Sequence, residues 1–285
     1  MTARSFEADA FSESLSRDES TGIWTARHAT PVSYPTHTHG NADCFQLEDR
    51  SFWFRHRNRC ITEAARQFPP AGAILDVGGG NGFVARGLID AGYEAILLEP
   101  GPEGASNARS MRNIPGVICA TVEDAKFKAE SIPAIGLFDV LEHIEDDRTF
   151  VGVLHQMLRG NGTIYVTVPA LQWLWSATDV DAGHFRRYST GQLRERFESG
   201  GFEVLYLTYI FEALLVPFYL MRTLPYILGL AKPRAQSDYQ SEHNAGGGWL
   251  SDGLQALLGR EIGAITHRRT LIAGTSCLLV ARKCV

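Results

Sequence analysis

The chain has 285 residues, enough for one large domain with a sizeable core. Apolar residues make up 45% and charged residues 21%, an ordinary globular balance that argues against a disordered or fibrous chain. A net charge of −5 and a pI near 6.0 give no overall footprint for nucleic-acid binding, so no nucleic-acid partner is expected.

Five scattered cysteines form no CxxC pair and read as reduced thiols in a cytoplasmic compartment. The first residues show no basic stretch followed by an apolar one, so no secretory signal is evident. Residues 1–42 are polar and without period, which predicts a flexible N-terminal arm. His37 and His39 within it read as solvated rather than as a metal pair.

A folded domain is expected over 43–285. Residues 43–70 have helical spacing up to Pro69-Pro70 and carry the aromatic run Phe52-Trp53-Phe54. Strand and helix signals then alternate. "AILDV", "EAILLEP", "GVICATV", "AIGLFDV", "GTIYVTVP" and "FEVLYLTYI" read as strands. "GFVARGLIDAG", "EGASNARSM", "DDRTFVGVLHQMLRG" and "TGQLRERFESGG" read as helices, the last with Thr190 as N-cap. Continuous apolar strands separated by helices predict a parallel sheet covered on both faces. A seventh strand, "TLIAGTSCLLVARK", closes the chain after an apolar and helical insertion over 211–262.

The first of these strands runs into "ILDVGGGNGF". A glycine loop between a strand and a helix presents backbone N–H groups to a ligand. The dinucleotide pattern GxGxxG fails at Phe83, and no Gly-Lys-Ser/Thr follows. What stands there is Asp76-x-Gly78-x-Gly80-x-Gly82, with no Arg or Lys in 71–85 to meet a diphosphate. Glu99 at the end of the next strand can accept both hydroxyls of a ribose.

"LDVGGGNG", "LLEP", "GLFDVLEHIEDD", "LRGNGTIYVTVPA" and "LRERFESGGFEV", in this order and spacing, resemble class I S-adenosylmethionine-dependent methyltransferases. The nearest likeness is the broad bacterial group with an "FDVLEHI" segment, over about 43–210 plus the last strand. The resemblance implies a Rossmann-like three-layer sandwich whose seven-stranded sheet is mostly parallel, with an antiparallel last strand. It implies S-adenosylmethionine as cofactor. Asp76, Gly78, Gly79 and Gly80 would take the methionine end, and Glu99 with Pro100 the ribose. Thr121 and Val122 would lie by the adenine, and Phe138 and Asp139 would close over the cofactor. The family often has Asp where this chain has Thr121, with Glu123 and Asp124 as nearby substitutes. A methyltransferase fold running other chemistry, a non-catalytic cofactor-binding protein and an NAD-dependent reductase are the competing readings.

Asp139, Glu142 and His143 fall at i, i+3 and i+4, which would place them on one face of a helical turn. "DAGHFRRYS" adds Asp181, His184, Arg186, Arg187 and Tyr188 at the same sheet edge. Three readings stay open. Glu142 and His143 brace a helix start; His143 or His184 is a catalytic base; or Glu142, His143 and His184 bind a divalent metal. The metal spacing is similar to that of O-methyltransferases acting on quinone precursors and on small-RNA termini. Trp53, Trp173, Arg187 and Tyr188 are the expected substrate contacts.

Residues 211–231 are strongly apolar but broken by Glu212, Pro217, Arg222 and Pro225, which argues against a membrane span. A cap over the site, a homodimer face and a peripheral membrane contact all fit. The acceptor expected is a small or lipid-like molecule, methylated on oxygen in preference to nitrogen or carbon.

Overall fold

The computed structural model describes residue 8 and residues 11–28, 41–230 and 249–284. Its sheet has nine strands in the order β1-β2-β5-β4-β3-β6-β7-β9-β8. Seven follow the expected pattern: β3 (Ile74–Val77), β4 (Ala95–Leu98), β5 (Gly116–Cys119), β6 (Ile132–Phe138), β7 (Leu158–Pro169), β8 (Phe202–Ile210) and β9 (Ser276–Lys283). Strand β9 runs antiparallel to both β7 and β8, between which it lies.

The other two strands correct the expectation of a flexible arm over residues 15–26. β1 (Leu15–Arg17) and β2 (Trp24–Ala26) form an antiparallel hairpin, and β2 pairs in parallel with β5. Leu15 and Trp24 are buried, and Arg109 reaches across to the Thr21 carbonyl at 3.3 Å. His37 and His39 lie outside the described residues.

Helices cover both faces. α1 (Asn41–Arg50) and α2 (Phe52–Gln67) precede the sheet core, with Ser51 capping α2. α3 (Phe83–Asp90), α4 (Pro102–Ser110), α5 (Val122–Ala125) and α6 (Asp147–Met157) fill the crossovers. α7 (Ala177–Asp181) and α8 (Thr190–Ser199) follow β7. The cap of α8 is Ser189, one residue before the expected Thr190, because Ser189 and Gln192 form a reciprocal capping box.

Within 211–262, α9 (Leu215–Phe218) and α10 (Leu224–Ile227) are joined by a π-helical turn, Tyr219–Thr223. α11 (Trp249–Thr266) packs against α2.

The two faces of β3 go to different cores, as the alternation of a strand requires. Leu75 and Val77 join one cluster with Ile96, Ile135 and Ile164. Ile74 joins the other with Leu97, Ala134 and Tyr165. The crossovers after β3 run toward β5, whereas β6 lies on the opposite side of β3. The sheet therefore reverses its winding between β3 and β6, where open α/β sheets form a crevice at the carboxyl ends of their strands. Asp76 and Asp139 flank that crevice.

Candidate active site

The glycine loop follows β3 directly. Gly78, Gly80 and Gly82 have φ of 68°, 55° and 79°, a region that side chains disfavour. A Cβ on Gly79 would stand 2.3 Å from Leu97 Cδ1 and 2.6 Å from Asp76 Oδ2. A Cβ on Gly80 would meet nothing within 4 Å, so this backbone faces open space. The loop is tight on its inner side and vacant on its outer side.

Asp76 is fully buried, and neither carboxylate oxygen has a hydrogen-bond partner. Burial pushes its pKa up to about 7, against the opposing charge of Arg57. Glu99 is also buried. Its Oε2 accepts from the Gly80 N–H at 2.9 Å and its Oε1 from the Gly101 N–H at 2.7 Å. Burial raises its pKa, and these two donors oppose the rise. Pro100 lies between Glu99 and that donor.

Thr121 caps α5 by accepting from the Asp124 N–H at 3.0 Å, and Val122 is buried in the core. Phe138 is buried at the end of β6.

Asp139 corrects the expectation of a shared helical face. It leaves β6 with a φ of 56°, and only Leu141–His143 form a short 3₁₀ turn. Asp139 accepts from Thr167 Oγ1 at 3.1 Å and pairs with Arg57.

Arg57, on α2, was not singled out from sequence. Its guanidinium is buried, with its carbon 4.8 Å from the Trp53 ring centroid and 5.3 Å from that of Phe54. Glu48, Asp76 and Glu142 all act on its charge, while burial lowers its pKa to about 10. Arg57 and Ile61 lie one turn apart on the buried face of α2, but this is an amphipathic helix with several arginines, and its sequence does not mark which of them faces inward. The same helices lie over the glycine loop. Asn58 donates to the Phe83 carbonyl at 3.2 Å, and Asn81 to Glu48 at 3.4 Å.

Beyond Asp139 lies a cavity of about 350 Å³. Phe52, Trp53, Phe54, Leu214, Pro217, Phe218 and Met221 make its apolar wall, and Asp139, Glu142, His143, Asp179, His184 and Arg187 its polar side. Asp76, the glycines and Glu99 do not line it. Asp139 lines it, and its partner Arg57 feels the charges of both Asp76, behind the glycine loop, and Glu142, in the cavity wall.

Glu142 is fully buried, and both of its oxygens lack a partner. Burial pushes its pKa up to about 8. The His143 and His184 rings meet edge to face with centroids 4.7 Å apart. Ligand atoms of Glu142, His143 and His184 all lie within 4.8 Å of one another. The Phe185 N–H donates to the Glu142 carbonyl at 2.8 Å, which joins the two segments.

His184 Nδ1 lies 2.9 Å from Asp179 Oδ1. Asp179 is fully buried and also accepts two bonds from Arg187, at 2.7 and 3.0 Å. Sequence reasoning picked Asp181, which is exposed, and missed Asp179. The Ser176-x-x-Asp179 capping box was the available signal.

Three expected substrate contacts are placed differently. Arg187 borders the cavity, but its guanidinium is held by Asp179 and the Ala170 carbonyl. The Tyr188 hydroxyl donates to Asp147 at 2.8 Å, inside the core. Trp173 is 53% exposed and packs edge-on against Tyr219, outside the cavity. Trp53 does line it, and stacks on Phe211 with centroids 5.3 Å apart.

Alternate glycines behind a buried acid, with a second acid at the next strand end, sit at the strand-end crevice of a class I methyltransferase fold. The family described as "Methyltransferase domain" matches residues 46–207, more than half of the chain, and the chain belongs to it. A probable S-adenosylmethionine-dependent methyltransferase of Mycolicibacterium smegmatis is 23% identical over 160 residues, 55% of this chain and 62% of that protein. A mitochondrial ubiquinone biosynthesis O-methyltransferase of Bos taurus is 28% identical over 102 residues, 33% of this chain and 28% of that protein. The chain thus spans less than two thirds of the length of these relatives. Among solved structures, the [4+2]-cyclase SpnF aligns over 90% of this chain and all of its own, with a TM-score of 0.56 and 14% identity. Phosphoethanolamine N-methyltransferase 2 of Haemonchus contortus, bound to S-adenosylmethionine, aligns over 86% of this chain and 57% of its own, with a TM-score of 0.52 and 14% identity.

The cofactor of this family is S-adenosylmethionine, and the residues fit it. Asp76 offers two unpartnered buried oxygens, and Gly80 leaves open space. The surrounding carboxylates suit a sulfonium and an ammonium better than a phosphate.

Proposed function

We propose that the chain transfers the methyl group of S-adenosylmethionine to an oxygen of a small or lipid-linked acceptor held in the aromatic cavity. The observation that carries this is the polar cluster at the cavity floor: His184 backed by buried Asp179, beside His143 and an unpartnered Glu142. Asp76 and the Gly78–Gly80 backbone would hold the methionine end of the cofactor, and Glu99 the ribose. The bound cofactor supplies an electrophilic methyl group.

The chain's own residues do the rest. Asp179, tied to Arg187, accepts from His184 Nδ1–H and leaves the Nε2 lone pair to take a proton from an acceptor hydroxyl. An oxygen needs this help, because a neutral hydroxyl is a poor nucleophile. Trp53, Phe54 and Phe218 exclude water and fix the acceptor's orientation.

The test is transfer of tritiated methyl to matched hydroxy and amino analogues of one aromatic scaffold. Methyl ethers are expected. Exclusive N-methylation would remove the oxygen preference, and no transfer to any acceptor would favour non-methylating chemistry.

A second reading has its own observation. Glu142, His143 and His184 converge within 4.8 Å, and Glu142 has no protein partner to satisfy it. They would hold a divalent cation that acidifies the acceptor hydroxyl. Calorimetric titration of Mg²⁺ and Zn²⁺, with turnover measured in chelator, separates the two. Full turnover in chelator leaves His184 acting alone.

A further inference from the structure

We infer that His56, Cys60 and Glu261 form a zinc site, separate from the acceptor cavity, that clamps α2 to α11 and to the end of β8. The inference does not rest on the proposed methyl transfer and is tested without turnover.

Sequence and fold bring the three residues together. His56 and Cys60 fall at i, i+4 and share the buried face of α2. α11 packs against that helix and contributes Glu261. All three side chains are buried. His56 Nε2 stands 2.8 Å from Glu261 Oε2 and 3.4 Å from Cys60 Sγ. Ligand atoms of the three residues all lie within 4.8 Å of one another. Zinc bonds of about 2.0–2.3 Å in a tetrahedron hold such atoms about 3.4–3.6 Å apart, so shifts on the order of 1 Å would seat the ion.

Hydrogen bonds alone leave the trio incomplete. Nε2 carries either a proton or a lone pair, so it serves only one of its two neighbours at a time. Nδ1 is buried and has no partner. An ion at the centre engages nitrogen, sulfur and oxygen together. Charge points the same way. Among the described residues, only His56 forms an ion pair with Glu261. Zn²⁺ between a carboxylate and a thiolate leaves the buried trio neutral. Burial, with Glu261 adding to it, raises the thiol pKa, so Cys60 stays neutral until a cation displaces its proton to solvent.

The donor set selects the metal. Thiolate with imidazole and carboxylate suits zinc, whereas Mg²⁺ takes oxygen ligands. Glu261 also accepts the Phe211 and Glu212 N–H groups, at 2.8 and 2.7 Å, which fixes the carboxylate in place. It lines a second cavity, of about 540 Å³, which gives the ion an entry and supplies water for the fourth position. Phe211 stacks on Trp53, so the clamp ends at the aromatic wall of the acceptor cavity.

Titration of the whole protein with Co²⁺, after dialysis against chelator, tests this. Expected is a sulfur-to-cobalt charge-transfer band in the near ultraviolet that added Zn²⁺ bleaches. Cys60→Ala and Cys60→Ser should each abolish the band and weaken zinc binding by more than about 100-fold, beyond the loss when a group that only supports a ligand is removed. Unchanged affinity for S-adenosylhomocysteine, by calorimetry, shows that they fold. Glu142→Gln, which dismantles the sulfur-free cluster at the acceptor cavity, should keep the band. X-ray absorption of the zinc-loaded wild type should show one sulfur at about 2.3 Å among lighter neighbours. No cobalt band, or a zinc shell without sulfur, overturns the inference. A band that survives in a folded Cys60 variant assigns the sulfur to another cysteine and also overturns it, as does a band lost in Glu142→Gln.

Discussion

The cofactor edge and the acceptor edge share one sheet and are built differently. On the cofactor edge, positive φ angles fall on glycines, and Glu99 is satisfied by two backbone N–H groups, Gly80 of the loop it faces and Gly101 two residues on. On the acceptor edge, the chain leaves β6, β7 and β8 through Asp139, Leu171 and Phe211, with φ of 56°, 63° and 62°. Non-glycine residues in this region cost energy, on the order of 1–3 kcal/mol each, and persist where surrounding structure holds them. Arg57 and Thr167 hold Asp139, and Trp53 stacks on Phe211. Glu261 of α11 accepts the Phe211 and Glu212 N–H groups at 2.8 and 2.7 Å and pairs with His56 of α2. On the proposed reading, the cofactor would be met mainly by backbone geometry and the acceptor by side chains braced from several elements.

Removing the base should break the acceptor side alone. His184→Ala is expected to lower kcat by roughly 10²–10⁴-fold with cofactor affinity unchanged. Asp179→Asn should cost less, roughly 10–100-fold, the scale set by partners that orient a functional histidine. Equal losses of cofactor affinity in either variant, by calorimetry, would erase the distinction between the edges.

The converse is Glu99→Ala, which removes a charged acceptor from the cofactor edge. Binding of S-adenosylhomocysteine should weaken by roughly 1.5–3 kcal/mol. An unchanged dissociation constant would show that the ribose lies elsewhere.

Proton linkage sharpens the comparison further. The Asp76 pKa, at about 7, stands above the ordinary carboxylate value of about 3.9. The folded protein holds a proton that the unfolded chain releases, so ligand-free stability falls as pH rises from about 4 to about 7 and then levels. A cationic cofactor favours the carboxylate and must displace that proton. Its affinity should rise about ten-fold between pH 6 and pH 8, with proton release visible as a dependence of binding enthalpy on the buffer. A flat profile would place Asp76 away from the cofactor's charges.

The smallest effect concerns the loop. Gly79→Ala forces a Cβ against Leu97 and Asp76, whereas Gly80→Ala points into open space and bears only the φ penalty. The first should be the less stable by roughly 1–2 kcal/mol in denaturant unfolding. Gly80→Ala should instead lose cofactor affinity.

These contrasts also explain what could be read before any coordinates. The glycine loop, Glu99 and the order of seven strands were legible, because strand period and glycine punctuation are local. Arg57 and Asp179 were not. Arg57 looks like one of several arginines in "FRHRNR", and only the packing of α2 shows that it faces inward. Asp179 and Asp181 are two residues apart, and the capping box rather than composition decides which is buried. The hairpin escaped because strands of three residues carry too little period to be seen.

That hairpin has a consequence for anyone shortening the chain. A fragment beginning at Asn41 would strip β1 and β2 from β5 and leave its backbone groups bare along one margin. Bare margins of this kind recruit strands from neighbouring molecules. The trimmed protein would form clumps, although it would keep every residue proposed for the site.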